Sequence, residues 1–154
     1  MGPEKYSTFN VASILNMKRG RLKNWIEQGF VTPSFTKPHG ASGVKALFDR
    51  RGLYSIRLFQ RFLDLGISRH IASEWLKIFD KVNSIQRRSV YPIFIVLERS
   101  ENGGVIIRLH FSENGDVCIS NNEQVDDVYV VNFENIRRYV DKILDGGVIK
   151  GGDV

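Results

Sequence analysis

Residues 11–33 read VASILNMKRGRLKNWIEQGFVTP, and this stretch decides the fold. Val11, Ala12, Ile14 and Leu15 form a short apolar cluster after Ser7 and Thr8, either of which suits a helix N-cap. A second apolar set, Leu22, Trp25 and Ile26, follows at helical spacing, with only residues 16–19 between the two. Gly29 and Pro33 then supply the stop signal. Two short helices with a tight joint make a candidate helix-turn-helix.

Working outward, residues 34–47 are polar and broken by Pro38, Gly40 and Gly43, which predicts a β-hairpin or loop. Asp49 is placed to cap a third helix with Leu53, Ile56, Phe59, Phe62 and Leu63 on its buried face and Gly66 as its end. Ser68 starts a fourth. In it Ile71, Trp75, Ile78, Val82 and Ile85 alternate in steps of four and three, the seam of a helix that packs lengthwise on another helix. Two heptads serve equally well for packing within the chain or for a dimer seam through Ile71, Trp75, Ile78 and Val82.

From Arg87 the period becomes strand-like. Apolar runs at 92–97, 105–111, 117–120 and 128–133 are separated by turn signals at Asn102-Gly103-Gly104 and Asn114-Gly115. A last helix carries Ile136, Tyr139, Val140, Ile143 and Leu144 on one face and stops at Gly146-Gly147. The expected fold is α+β: residues 1–88 a mainly α, winged helix-turn-helix unit with a linker helix, and residues 89–154 a small antiparallel sheet with a C-terminal helix across one face. Because Ile93 and Ile95 point one way and Phe94 and Val96 the other, both faces of the first strand are apolar and expected to be covered. The last helix would take one face, and a second chain or the N-terminal half the other.

The chain has 154 residues, 42% of them hydrophobic and 25% charged, a composition that excludes disorder and fibre. Its longest strongly apolar uncharged run, residues 89–97, falls far short of the roughly 20 needed to span a bilayer. No secretory signal pattern opens the chain, and the single Cys118 builds neither an internal disulfide nor a thiolate-rich metal site. A cytoplasmic, nucleoid-associated protein is expected. The net charge of +5 conceals a division: residues 1–88 hold 16 Lys and Arg against 6 Asp and Glu, while residues 89–154 hold 6 against 11. A polyanion suits the first half and is repelled by the second.

The second helix of a helix-turn-helix enters the major groove with its first turns toward the base edges. Lys18, Arg19, Arg21, Lys23 and Asn24 crowd that stretch. Arg and Lys donate to guanine O6 and N7, and Asn pairs with adenine through both amide groups, so the residue types for base readout stand where readout occurs. The plain alternative is a solvated cationic helix face. Against it stand the tight turn before the run, the Gly stop after it, and the strongly basic half around it.

These residues resemble the MerR-type winged helix-turn-helix regulators over roughly residues 6–80. Val11-Ala12-Ser13-Ile14-Leu15-Asn16-Met17 is similar to the family's first helix and turn. Residues 21–33 match without a gap its pattern of a Leu-Arg pair, an aromatic, a Gly-Leu and a Pro, read here as Leu22-Lys23, Trp25, Gly29-Phe30 and Pro33. Leu47-Phe48-Asp49, Ile56, Phe59, Phe62, Leu65-Gly66-Ile67-Ser68 and Ile71 fit the stretch from the wing into the third and fourth helices. The resemblance implies that Arg19, Arg21 and Lys23 face DNA, that Trp25 takes the place of an aromatic near the backbone, and that Lys37, His39 and Lys45 belong to a wing gripping phosphate. Departures are Lys23 for the usual Arg, Lys45-Ala46 for a Tyr-Arg pair, and Gly52 for an acidic residue. Gly20 inside the second helix costs about 1 kcal/mol relative to Ala.

Other residues carry less. His39, His70 and His110 lie in three separate segments without ligand spacing, so no metal site is expected. Asp126 and Asp127 are neighbours on one strand and point to opposite faces. Trp25 and Trp75 stand at helical spacing from apolar neighbours, as core or interface residues do. No Gly-rich phosphate loop, nucleophile elbow or His-Glu zinc motif is present, so no enzyme and no cofactor are expected. The expected function is a sequence-specific transcription regulator binding double-stranded DNA as a homodimer, with an effector or protein partner at the C-terminal half. The alternatives are a DNA-architectural or recombination accessory protein, excisionase-like or chromosome-organising, and a protein-interaction module.

Overall fold

The structure, a computed structural model, describes residues 4–38, 44–85, 91–100, 104–111 and 125–146. The fold is α+β. Among these residues are five helices and two antiparallel three-stranded sheets. The chain divides into two compact units, one built from residues 1–76 with 137–154 and one from residues 77–136.

In the first unit, β1 (Tyr6–Ser7) leads into α1 (Thr8–Ile14) and α2 (Arg19–Glu27), followed by β2 (Phe35–Pro38), β3 (Val44–Phe48), α3 (Arg50–Asp64) and the first half of α4 (Arg69–Ile85). Ser7 caps α1 by accepting a hydrogen bond from the Asn10 N–H at 3.2 Å. The turn after α1 passes through Asn16 at φ +51°, a left-handed position that Asn tolerates better than most residues. Gly29, at φ +76°, closes α2. Its N–H reaches the Ile26 carbonyl at 3.1 Å and the Phe30 N–H reaches the Trp25 carbonyl at 2.9 Å, the paired bonds of a Schellman motif. Gly66 ends α3 in the same way.

The expected hairpin is present as β2–β3, in register Phe35↔Leu47 through Pro38↔Val44. Two residues of β1 add to its other edge, giving the order β1-β3-β2. Asp49 caps α3 through the Gly52 N–H at 2.8 Å, and Ser34 braces that cap by donating to the Asp49 carboxylate at 3.0 Å. A Cβ at Gly52 would stand 2.6 Å from the Ser34 hydroxyl oxygen, so a side chain there would displace the group that braces the Asp49 cap.

The core of this unit is aromatic. Trp25 meets Phe59 edge-on at 4.8 Å, and Phe62 meets Trp75 edge-on at 5.7 Å, with all four essentially buried. Trp75 is therefore packed within its own chain, which removes that one residue from the seam expected through Ile71, Trp75, Ile78 and Val82. Ile71 is half-buried and Ile78 is exposed; the side chain of Val82 lies outside the described residues.

The second unit orders its strands β5-β4-β6, from β4 (Phe94–Ser100), β5 (Val105–His110) and β6 (Val125–Asn132). The expected strand at 117–120 and Cys118 lie outside the described residues. Ile95, Val96 and Leu97 are all fully buried although they alternate between faces, and Glu98 is buried beside Val96. The central strand is thus buried on both faces, while Ile106 and Val130, the cross-strand neighbours of Glu98 and Val96, remain exposed. The start of α5 (Phe133–Asp145) contributes Phe133, which packs against Phe79 at 5.0 Å.

The boundary differs from the one expected at residue 88, and α5 is not simply the lid of the sheet. From Arg137 onward it belongs to the first unit, because its acidic residues meet the basic end of α3. Arg50 pairs with Asp141 at 3.1 Å, Asp145 at 2.9 Å and Glu4 at 3.2 Å. Tyr54 donates to Asp141, and the Arg57 guanidinium lies 4.4 Å from the Tyr139 ring centroid.

The Arg50 guanidinium, through its hydrogen bond to Asp145, holds that carboxyl below its usual range. Tyr6 and then Arg50 do the same for Glu4. A carboxyl with a depressed folded-state pKa stabilises the fold above its ordinary value and loses that contribution as pH falls through the folded one. The thermal midpoint is expected to hold between about pH 7 and 5 and to drop below about pH 4, with a smaller drop in Arg50→Met. Melting curves across that range check it, and equal acid sensitivity in the two proteins would contradict it.

Candidate nucleic-acid interface

Leu22 and Trp25 seat α2 on the core, which turns Gly20, Lys23 and Glu27 outward. The basic residues divide between its two flanks. On one flank Arg19 and Lys23 line a cleft of about 440 Å³ together with Lys45 of β3, and Ser7, Thr8 and Phe9 at the start of α1 complete its rim. On the other flank Arg21 and Asn24 line a second depression, with Ser68 and Arg69 at the start of α4. Lys18 precedes the helix as an exposed N-cap that makes no side-chain cap bond.

Trp25 does not face outward. It is 1% exposed, so the expectation that it approaches a nucleic-acid backbone is corrected: its ring lies under Arg21, whose guanidinium carbon is 5.1 Å from the ring centroid. The aromatic acts as a floor that positions the cation.

The hairpin adds charge beside the first cleft. Lys37 and Lys45 are both exposed and stand directly opposite each other across β2 and β3. Like charges in that relation repel and weaken a hairpin, so the pair is a local cost to the fold that a bound polyanion would relieve. His39 lies outside the described residues.

Two members of this surface carry no sequence signal of the kind that marks the basic run. Arg69 belongs to it only because α4 begins beside α2, although its place after the Gly66 stop and Ser68 marks the start of a helix. Glu27 lines the first cleft and stands 4.0 Å from Lys23, one turn along the helix. It is the acidic member of an otherwise cationic rim, and an exposed pair of this kind contributes little to stability.

Gly20 lies at the outward crest between the flanks, and a Cβ there would meet nothing within 4 Å. Gly20→Ala is expected to stabilise the fold by about 0.5–1 kcal/mol, because Ala loses less backbone entropy in a helix. The urea midpoint checks this. An unchanged or lowered midpoint would contradict it.

Among the described residues no three His, Cys, Asp or Glu side chains gather as a metal site. No described helix is long and apolar enough to cross a membrane. No protein-family model matches the sequence, and no curated protein matches it either.

Proposed function

We propose that this chain is a sequence-specific double-stranded-DNA-binding transcription regulator of MerR-like type. In this reading α1 and α2 are the helix-turn-helix, β2–β3 is the wing, and α2 enters the major groove. The observation that carries it is the gathering of Arg19, Lys23 and Lys45 around one cleft, with Lys37 opposite Lys45 on the hairpin. Charge from two separate elements thereby converges on a surface that duplex phosphates could cross, with a helix crest between its flanks. Arg21 and Asn24, on the other flank, are the candidates for base edges, since Arg forks to guanine and Asn to adenine. One such surface spans one half-site, so a pseudo-palindromic operator would take two copies.

The test is a fluorescence-polarisation titration of the full chain against duplex DNA at several salt concentrations. Each neutralised phosphate contributes a slope of about −0.9 in log affinity against log salt, so a steep decline is expected. Affinity that hardly changes with salt would remove the proposal. On selected sites Arg21→Ala is expected to lose about 1–3 kcal/mol of specific binding, whereas Lys45→Ala weakens all sequences alike. Equal losses on selected and random duplexes for both variants would remove that division of labour.

A further inference from the structure

Phe9 is the second residue of α1, is 44% exposed, and projects into the rim of the first cleft. A single exposed apolar side chain is ordinarily unremarkable. This one differs in its company: the Arg19 guanidinium carbon lies 5.8 Å from its ring centroid, and Lys23 and Lys45 line the same cleft. The remaining exposed large apolar residues, such as Leu65 and Ile106, are not among the residues of this cleft. Phosphate suits Lys23 and Lys45 in this cleft, but the apolar Phe9 ring itself is a poor contact for phosphate and for water. Ring and cation together suit a surface that offers charge and hydrocarbon side by side.

The major groove offers that combination where the 5-methyl group of thymine adjoins an acceptor edge, and the N7 and O6 pair of a neighbouring guanine is the edge that fits a guanidinium. We infer that Phe9 is a specificity-determining residue that packs on a thymine methyl group while holding Arg19 in position for a neighbouring guanine. The inference rests on the reading of the chain as a duplex-binding protein. Arg19 is the first residue of α2, the end of a recognition helix that meets base edges, and the cation–π contact restricts its guanidinium before DNA arrives. Phe9 then supplies the hydrocarbon that Arg19 lacks.

The experiment compares a duplex of about 20 base pairs, recovered from a random pool by the full chain, with the same duplex in which every thymine is replaced by deoxyuridine. Loss of one buried methyl contact lowers affinity about fourfold, and the wild-type chain is expected to lose at least that. Phe9→Ala is expected to bind the two duplexes equally, and Phe9→Leu, which keeps hydrocarbon in place, to retain part of the preference. Arg19→Lys keeps the charge without the flat guanidinium and is expected to weaken both duplexes. Far-UV circular dichroism confirms that each variant is folded. Equal wild-type affinity for the two duplexes overturns the inference and leaves the salt-dependent DNA reading standing, as does discrimination that survives in Phe9→Ala, the behaviour of a ring that packs on deoxyribose. Absence of any duplex binding by the wild-type chain overturns both.

Discussion

Phe59→Ala is expected to lower the unfolding free energy by about 3–5 kcal/mol, the cost of truncating a fully buried aromatic side chain. Phe59 is completely buried between Trp25, edge-on at 4.8 Å, and Phe30, whose ring stacks at 6.3 Å. Trp25 lies in α2, and Phe30 follows the Gly29 turn that closes it. Phe59 is therefore the part of α3 on which the basic helix is mounted. Since a domain is stable by only about 5–15 kcal/mol, the variant should unfold partly at physiological temperature and lose nucleic-acid affinity with its fold. Urea denaturation measures the change. A loss under about 1 kcal/mol would mean that α2 does not depend on this contact.

Lys45→Glu separates function from stability. Lys45 faces Lys37 across the hairpin and lines the cleft with Arg19 and Lys23. Reversing its charge converts a cross-strand repulsion into an opposite-charge pair, which contributes roughly 0.2–1 kcal/mol to a hairpin. The melting temperature is expected to hold or rise. Duplex affinity is expected to fall by about tenfold or more on all sequences, with a shallower salt dependence, because a phosphate contact becomes a repulsion. The paired readout matters, since a variant that merely damaged the fold would lose both. Unchanged affinity with unchanged stability would detach the hairpin from the interface.

Much of the first unit was legible because its punctuation is local. Ser7, Asp49, Gly29 and Gly66 cap or end their helices as their residue types predict, and the Gly/Pro-broken segment forms the hairpin. What escaped depends on distant contacts. Two residues suffice for β1, too few to show a period of two. The allegiance of α5 is set by Arg50 meeting Asp141 and Asp145 from nearly a hundred residues away. Periodicity finds the apolar face of α5, but it cannot say which surface that face meets.

The candidate site follows the same rule. Lys18, Arg19, Arg21, Lys23 and Asn24 stand out as a run, yet the run does not reveal that Arg19 and Lys23 take one flank of α2 and Arg21 and Asn24 the other. Apolar spacing marks Trp25 as a core residue, and its burial under Arg21 agrees with that reading over a place at a DNA backbone. Phe9 and Glu27 enter the cleft only because α1, α2 and β3 meet there. Gly52 shows the reverse case, where a glycine that apolar spacing does not mark sits close against the Ser34 hydroxyl.

The most direct measurement is duplex affinity of the full chain carrying Arg19→Glu, Arg21→Glu and Lys23→Glu together, titrated at two salt concentrations, with circular dichroism to confirm the fold. All three side chains are exposed, so their reversal should leave the core intact. The expected result is a folded protein whose affinity falls by about 100-fold or more and whose salt slope flattens by at least about 0.9, the share of the Lys23 phosphate contact. A folded triple variant that binds duplex as tightly as the unaltered chain would contradict the assignment of α2 to the DNA groove.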